Sequence, residues 1–159
     1  MSFGVEIILA KLNIRDIRIS DKEEYIKMYE NLFSGNATVT EYDEEVALLN
    51  FNNALSGFGS IRCLIFEYKT FILGYAFLSF SYSTSIAMKC LCLEDLYIKE
   101  QARGKGVGKY FIEWLLKEYK NRVGTINLEV TRNNLSARKF YEGLNFRNSR
   151  YMHMYLSLK

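Results

Sequence analysis

Hydrophobic and polar positions alternate along several stretches of the chain, and in other stretches apolar side chains recur every three or four residues. The alternating stretches predict strands at 14–19, 61–68, 71–82, 87–98, 123–131 and 148–158. The helical spacing predicts one helix capped by Asp21 and ending near Phe33, and others at 43–55, 106–121 and 134–143. Lys69-Thr70 would close a hairpin between the second and third strands. By themselves these elements are typical of an α+β or α/β domain.

A glycine-rich turn joins the strand 87–98 to the helix 106–121. It runs from Arg103 to Lys109 and carries Gly104, Gly106 and Gly108. The unpaired N–H groups and positive dipole end of a helix start bind anions, and glycines let the main chain come close to them. Equally, three glycines could serve only a tight turn and close helix packing. A dinucleotide fingerprint and a Walker loop both fail on spacing, because Lys109 stands at the third glycine position and Gly-Lys-Ser/Thr does not occur.

Length and composition indicate one globular domain spanning residues 1–159, with 49% hydrophobic residues to build its core. Cys63, Cys90 and Cys92 lie in predicted strands, and an odd number favours reduced, buried thiols over disulfides. With His153 as the one histidine, neither a His-rich metal site nor a Ser-His-Asp triad is expected. The apolar patch at 5–10 lacks a basic flank, and no apolar run approaches a membrane span, so a cytoplasmic protein is expected.

Charge is distributed unevenly along the chain. Residues 21–50 have a net charge of −6, and residues 99–159 have a net charge of +8. Such blocks can simply be solvated faces. Their segregation also suits an enzyme that binds an anionic ligand at one end and a cationic ligand at the other.

Two motifs together resemble the GNAT superfamily of acetyl-CoA-dependent N-acetyltransferases. The first is Arg103-x-x-Gly106-x-Gly108 after the strand Leu93-Glu-Asp-Leu-Tyr-Ile98, and it resembles the family's acyl-CoA-binding motif. The second is Asn134-x-x-Ala137-x-x-x-Tyr141, followed by Leu-Asn-Phe where the family usually has Gly-Phe. The resemblance covers roughly residues 87–147. It implies a central mixed, mostly antiparallel sheet flanked by about four helices.

The resemblance also implies where acetyl-CoA, the co-substrate, would bind; no metal is expected. The pyrophosphate would lie on the turn, the pantetheine arm on the main chain of 96–98 and on Asn134, and the 3′-phosphate near Arg138 and Lys139. Asn134 could instead be a helix cap, and the two cations could simply be solvated. The expected contacts are Leu96, Tyr97, Ile98, Arg103, Gly104, Lys105, Gly106, Val107, Gly108, Lys109, Asn134, Arg138 and Lys139.

Two side chains are candidates for proton transfer. Amine attack on a thioester needs a proton acceptor, and the Leu-Glu-Asp-hydrophobic-aromatic sequence resembles spermidine/spermine acetyltransferases, in which the Glu matching Glu94 is the proposed base. It would act directly or through water, unless it only pairs with a nearby cation. Tyr141 occupies the family position of the acid that protonates the departing thiolate, although a tyrosine is more often an amphipathic core residue.

The family places its acceptor groove at the first two helices, so the acidic stretch favours a cationic small molecule such as a polyamine. Alternatives are a protein lysine or N-terminus, or an acyl-CoA-binding module without turnover. Nucleic-acid binding is disfavoured because no helix has a dense basic face, whereas a homodimer is expected from the family. Acceptor contacts are predicted at Glu24, Phe33, Glu41, Tyr42 and Tyr82, although the aromatic ones also suit a core.

Overall fold

In a computed structural model, which describes residues 9–35 and 38–158, a five-stranded sheet forms the centre of the protein. Its strands follow chain order, antiparallel from β1 to β4 and parallel between β4 and β5. The strands are β1 (Leu12–Asp16), β2 (Ile61–Tyr68), β3 (Phe71–Ser83), β4 (Met88–Ile98) and β5 (Thr125–Leu128). The α-helices that lie wholly within the described residues are α1 (Lys22–Phe33), α2 (Glu44–Ser56), α3 (Val107–Glu118) and α4 (Leu135–Gly143). The predicted mixed, mostly antiparallel sheet with four helices is confirmed.

Helices cover both faces of the sheet, which explains why its central strands are apolar on both sides. In β2, Leu64 and Phe66 pack with Phe111 and Ile112 of α3. Cys63 and Ile65, which alternate with them along the strand, pack instead beneath α1 and α2. Period-two alternation therefore assigns successive residues of one strand to two separate cores.

The first strand and its connection to α1 differ from the prediction. β1 covers Leu12–Asp16 rather than 14–19, because the Asp21 carboxylate accepts the Arg18 N–H at 2.7 Å and draws the chain into a 3-10 turn. Asp21 is 3% exposed and also accepts two hydrogen bonds from the Arg15 guanidinium, at 2.7 and 3.0 Å. Asp21 therefore does not cap α1 with its side chain. Burial alone would raise its pKa, but the hydrogen bonds from Arg15 and Arg18 hold that pKa below its usual value.

The predicted strand at 148–158 is wrong. Within the described chain this segment has no strand partner, and the large apolar side chains between Tyr151 and Leu158 are 86–96% exposed. His153 Nδ1 lies 3.3 Å from a carboxylate oxygen of Glu129, and both side chains are exposed. Alternation specifies which side chains share a face, but a strand also needs a neighbour for its main-chain hydrogen bonds.

One position tests the close approach of two central strands. A Cβ on Gly74 would lie 2.2 Å from the carbonyl oxygen of Tyr97 in β4, and neither main chain can yield without breaking the β3–β4 ladder. We expect Gly74→Ala to lower the free energy of unfolding by about 2–3 kcal/mol in urea denaturation. Gly143→Ala is the matched control, because nothing lies within 4 Å of the added methyl and alanine favours a helix. Equal stability of the two variants would contradict the close packing at Gly74.

Candidate active site

A β-bulge interrupts β4 at Glu94. Phe77 of β3 pairs with Asp95, but the next residue, Leu78, pairs with Leu93, so Glu94 is the extra residue. The bulge reverses the alternation of faces along β4. Leu93 packs in the core beneath α3, whereas Tyr97 packs in the core beneath α1 and α2.

The bulge also marks the point where β4 and β5 separate. Their parallel pairing begins at Cys90 and Thr125 and stops at Leu93 and Leu128. Beyond it, no strand in the described part of the chain pairs with Leu96–Ile98 on the β5 side. The predicted strand 123–131 is accordingly only four residues long. A short main-chain edge is thus left without a strand partner in the interior of the sheet, and of its groups the Ile98 carbonyl is bonded by the Arg103 side chain.

This open edge faces a cavity of about 770 Å³ between the glycine turn and α4. Ten of the thirteen residues predicted to bind the co-substrate line the cavity, and so does Tyr141. The ten are Leu96, Tyr97, Ile98, Arg103, Gly104, Gly106, Val107, Gly108, Lys109 and Asn134. Lys105 lies elsewhere, in a smaller cavity of about 380 Å³. Arg138 is 3.8 Å from Glu142 on α4, and Lys139 is exposed.

The glycines of the turn have different roles. Gly104 and Gly106 have φ angles of +70° and +79°, which side chains rarely adopt. Gly108 instead makes room for a neighbour, since a Cβ there would lie 3.2 Å from the Phe140 ring. The glycines therefore serve tight turning and close helix packing, and anion binding by the main chain of the turn stays a prediction.

α3 begins beside the cavity without a side-chain cap. The Tyr110 N–H is the first to bond back, to the Gly106 carbonyl at 2.9 Å, so the N–H groups of Val107, Gly108 and Lys109 have no intrahelical acceptor. Cations nearby are partly engaged: Arg103 Nε donates to the Ile98 carbonyl at 2.8 Å, and Lys109 lies 3.8 Å from Glu113. An anion in the cavity would meet mainly backbone N–H groups.

The second motif contributes α4 to the cavity wall. Asn134 Oδ1 accepts the Ala137 N–H at 3.1 Å, so the side chain is a helix cap and retains only its amide nitrogen as a donor. The Tyr141 ring packs edge-on against Phe140 and Phe146, and burial raises its pKa to about 12. Tyr141 is therefore a neutral phenol at physiological pH, with a proton to donate.

Glu94 is exposed, and its carboxylate accepts a hydrogen bond from the Ser79 hydroxyl. Its neighbour Asp95, which sequence reasoning missed, is partly buried and accepts a hydrogen bond from the Tyr75 hydroxyl at 3.2 Å. Burial raises the pKa of Asp95 to about 6, assisted by the Glu94 charge, although the Tyr75 hydrogen bond acts in the opposite direction. Regular alternation predicts opposite faces for Glu94 and Asp95, and only the bulge places Asp95 on the same face as Glu94.

The residues predicted to contact the acceptor do not converge on one pocket. Glu24 forms an ion pair with Lys99 and lines the smaller cavity, and Phe33 stacks on Tyr29 at 4.2 Å. Tyr42 packs near the same ring, Glu41 is exposed, and Tyr82 is 64% exposed on β3. Sequence reasoning missed Asn31, Leu32 and Gly35, which bring the end of α1 to the larger cavity.

Part of the acidic stretch serves the fold. Asp21 binds Arg15, Glu24 pairs with Lys99, and Asp43 caps α2 by accepting the N–H groups of Glu45 and Val46. Because these three carboxylates already have partners, the stretch is not a uniform surface of free negative charge. Attraction of a cationic acceptor by the remaining acids stays a prediction.

The sequence profile of the acetyltransferase (GNAT) family matches residues 23–146, and the chain belongs to this family. No curated protein matches the chain. The acetyltransferase class therefore rests on the family match.

Solved structures share the fold at low sequence identity. A possible acetyltransferase from Clostridium difficile 630 superposes with a TM-score of 0.81 at 19% identity, over 93% of this chain and 99% of that one. An aminoglycoside N-acetyltransferase in complex with CoA superposes with a TM-score of 0.75 at 16% identity, over 93% of this chain and 95% of that one. A ribosomal-protein-alanine N-acetyltransferase from Brucella melitensis biovar Abortus 2308 superposes with a TM-score of 0.73 at 15% identity, over 93% of this chain and 99% of that one. Likeness at this identity establishes the fold.

Among the described residues, no helix is long and apolar enough to cross a bilayer. The His, Cys, Asp and Glu side chains of the same residues form no group of three or more that could hold a metal ion.

The raised pKa of Asp95 predicts a pH-dependent cost to the fold. The folded pKa of Asp95 lies near 6, above the unfolded value near 3.8. The stability that Asp95 contributes to the fold is therefore fully present below pH 4 and is lost as pH rises through 6. Asp95→Asn keeps the shape and still accepts the Tyr75 hydrogen bond. We expect this variant to gain about 1–2 kcal/mol relative to wild type between pH 4 and pH 8, measured by urea denaturation.

Asp21→Asn is the matched control with the opposite sign. The pKa of Asp21 is lowered in the folded protein, so its contribution is present above the unfolded pKa and disappears as pH falls through the folded pKa. The variant should therefore be less stable than wild type at pH 7, with a difference that shrinks in acid. A pH-independent difference between Asp95→Asn and wild type would contradict the buried, charge-disfavouring environment.

Proposed function

We propose that this protein is an N-acetyltransferase that transfers the acetyl group of acetyl-CoA to a primary amine by direct attack, with both substrates bound together. The observation that carries the proposal is the open main-chain edge of Leu96–Ile98, which shares a cavity with the first turn of α3. An open strand edge can bind the amides of a pantetheine arm, and uncapped helix N–H groups can bind a pyrophosphate. Acetyl-CoA would supply the activated acetyl thioester.

Glu94 is the proposed base. An alkylamine with a pKa near 10 is protonated at neutral pH and must lose a proton before it attacks. The Glu94 carboxylate is exposed beside the point where β4 and β5 separate, so it can accept this proton directly or through a water molecule. Overall, the ammonium loses two protons: one reaches solvent through Glu94, and the other ends on the sulfur of CoA.

Tyr141 is the proposed acid for the departing thiolate. Its place in the cavity wall and its raised pKa support this role, because a neutral phenol can donate a proton at physiological pH. Asn134 would assist in binding the pantetheine arm through its amide nitrogen. The proposed acceptor is a cationic small molecule such as a polyamine, and a protein lysine or N-terminus is the other amine class to be tested.

Cytoplasmic location and a homodimer also belong to the proposal. The three cysteines are unpaired, as expected in a reducing compartment. Support for a dimer comes from the exposed apolar side chains of residues 151–158, because contiguous apolar surface is typical of an interface.

The activity is tested with acetyl-CoA and a panel of polyamines, amino acids, aminoglycosides and peptides, followed by CoA thiol release. With the best acceptor, Tyr141→Phe should lower kcat by about 10²-fold, because it removes the acid but keeps the packing against Phe140 and Phe146. Tyr110→Phe on α3 is the matched control and should leave kcat unchanged. Failure of every amine to react would sink the proposed function, and equal rates for wild type and Tyr141→Phe would remove Tyr141 from the chemistry.

A further inference from the structure

The bulge in β4 places two consecutive carboxylates on the same face of the sheet. Glu94 accepts a hydrogen bond from Ser79, and Asp95 accepts one from Tyr75. Ser79 and Tyr75 are four residues apart on β3, so their side chains point to one face. Tyr75 packs in the core beneath α1 and α2, which identifies that face.

Asp95 has no cationic partner among the described residues. The ion pairs of the described chain do not include it, and the Tyr75 hydroxyl is a neutral donor. Removing a carboxylate from water is costly unless a positive charge compensates for it. Asp95 is only partly buried, so its carboxylate is not sealed from solvent.

A second observation concerns the Tyr25 hydroxyl. Tyr25 is 0% exposed, and its hydroxyl has no hydrogen-bond partner among the described residues. The Tyr25 ring packs edge-on against Tyr75 at 5.1 Å, and the charge of Asp95 acts on Tyr25. An unsatisfied buried hydroxyl on a ring packed against Tyr75, which itself bonds an uncompensated carboxylate, indicates a polar site whose partner is not among the described residues.

We propose that Asp95 is the counter-ion of the acceptor's reacting amine, which Glu94 and Asp95 bind together as an ammonium before Glu94 removes a proton. The inference rests on the proposed function and adds a specificity-determining residue to it. The ligand class is a primary alkylammonium, whose N–H groups make charge-assisted hydrogen bonds to both carboxylates. Amines that are neutral at working pH lose this attraction. The two carboxylates have separate tasks, since Glu94 accepts the proton and Asp95 holds the charge.

Binding of two probes, spermidine and 1,4-diaminobutane, to the CoA-loaded protein provides the test. By calorimetry at pH 7.5, Asp95→Asn should weaken binding of at least one probe by 10-fold or more, because it removes the charge and keeps the shape. Glu23→Gln on α1 is the matched control, since it removes an exposed charge from the same side of the sheet. It should change affinity by less than twofold.

Kinetics separate charge binding from a structural role. Asp95→Asn should raise the acceptor KM by 10-fold or more and leave the acetyl-CoA KM within twofold, whereas Glu94→Gln should act mainly by lowering kcat. A purely structural Asp95 would change both KM values together. The inference is overturned if wild type binds neither probe, if Asp95→Asn binds both as wild type does, or if Glu23→Gln weakens binding equally. Absence of acetyl transfer in wild type would instead defeat the proposed function, and calorimetry would still decide the role of Asp95.

Discussion

The site depends on one irregularity in hydrogen bonding, the extra residue at Glu94 in β4. A regular strand would keep its ladder with β5 and would place Glu94 and Asp95 on opposite faces. The bulge ends the ladder after Leu93, so Leu96–Ile98 keep their bonds to β3 but expose main chain on the other side. The same extra residue places the side chains of Glu94 and Asp95 on the face of the sheet that α1 and α2 cover. The proposed cofactor edge and the proposed acceptor face thus have a common structural origin.

The surrounding fold makes this irregularity tolerable. Cores on both faces fix the strands, and ion pairs such as Arg15–Asp21 satisfy buried charge away from the cavity. At the bulge and the glycine turn the reverse holds, since the partly buried Asp95 has only a hydroxyl to stabilise it and Gly106 has a backbone conformation that side chains resist. Groups that cost stability are therefore concentrated where a ligand would meet them, as expected of a functional site.

Sequence patterns predicted the parts of the fold that depend on local periodicity. The β2–β3 hairpin, α2, α3 and α4 lie within a few residues of their predicted positions, because apolar spacing and glycine or asparagine boundaries determine them locally. The two motifs likewise predicted most of the cavity wall. These features need only neighbouring residues to be specified.

Features that depend on tertiary pairing could not be predicted from the sequence. Asp21 has the position of a helix cap, but the guanidinium of Arg15 in β1, six residues earlier, binds its carboxylate. The alternating segment 148–158 has the side-chain pattern of a strand without an edge to pair with. Asp95 was missed because a bulge is a property of the register between two strands, and one strand's sequence does not contain it. The ion pair between Glu24 and Lys99 likewise joins residues 75 positions apart, and no local pattern predicts it.

The open edge of β4 is the central claim, and amide hydrogen exchange with and without CoA tests it most directly. A pantetheine arm that binds the edge should slow exchange in the peptide containing Leu96–Ile98, and a pyrophosphate on the helix start should slow Val107–Lys109, while α2 exchanges as before. Calorimetry on the same sample establishes that CoA is bound. Bound CoA with unchanged exchange at Leu96–Ile98, or with protection only around the smaller cavity near Lys105, would contradict the account.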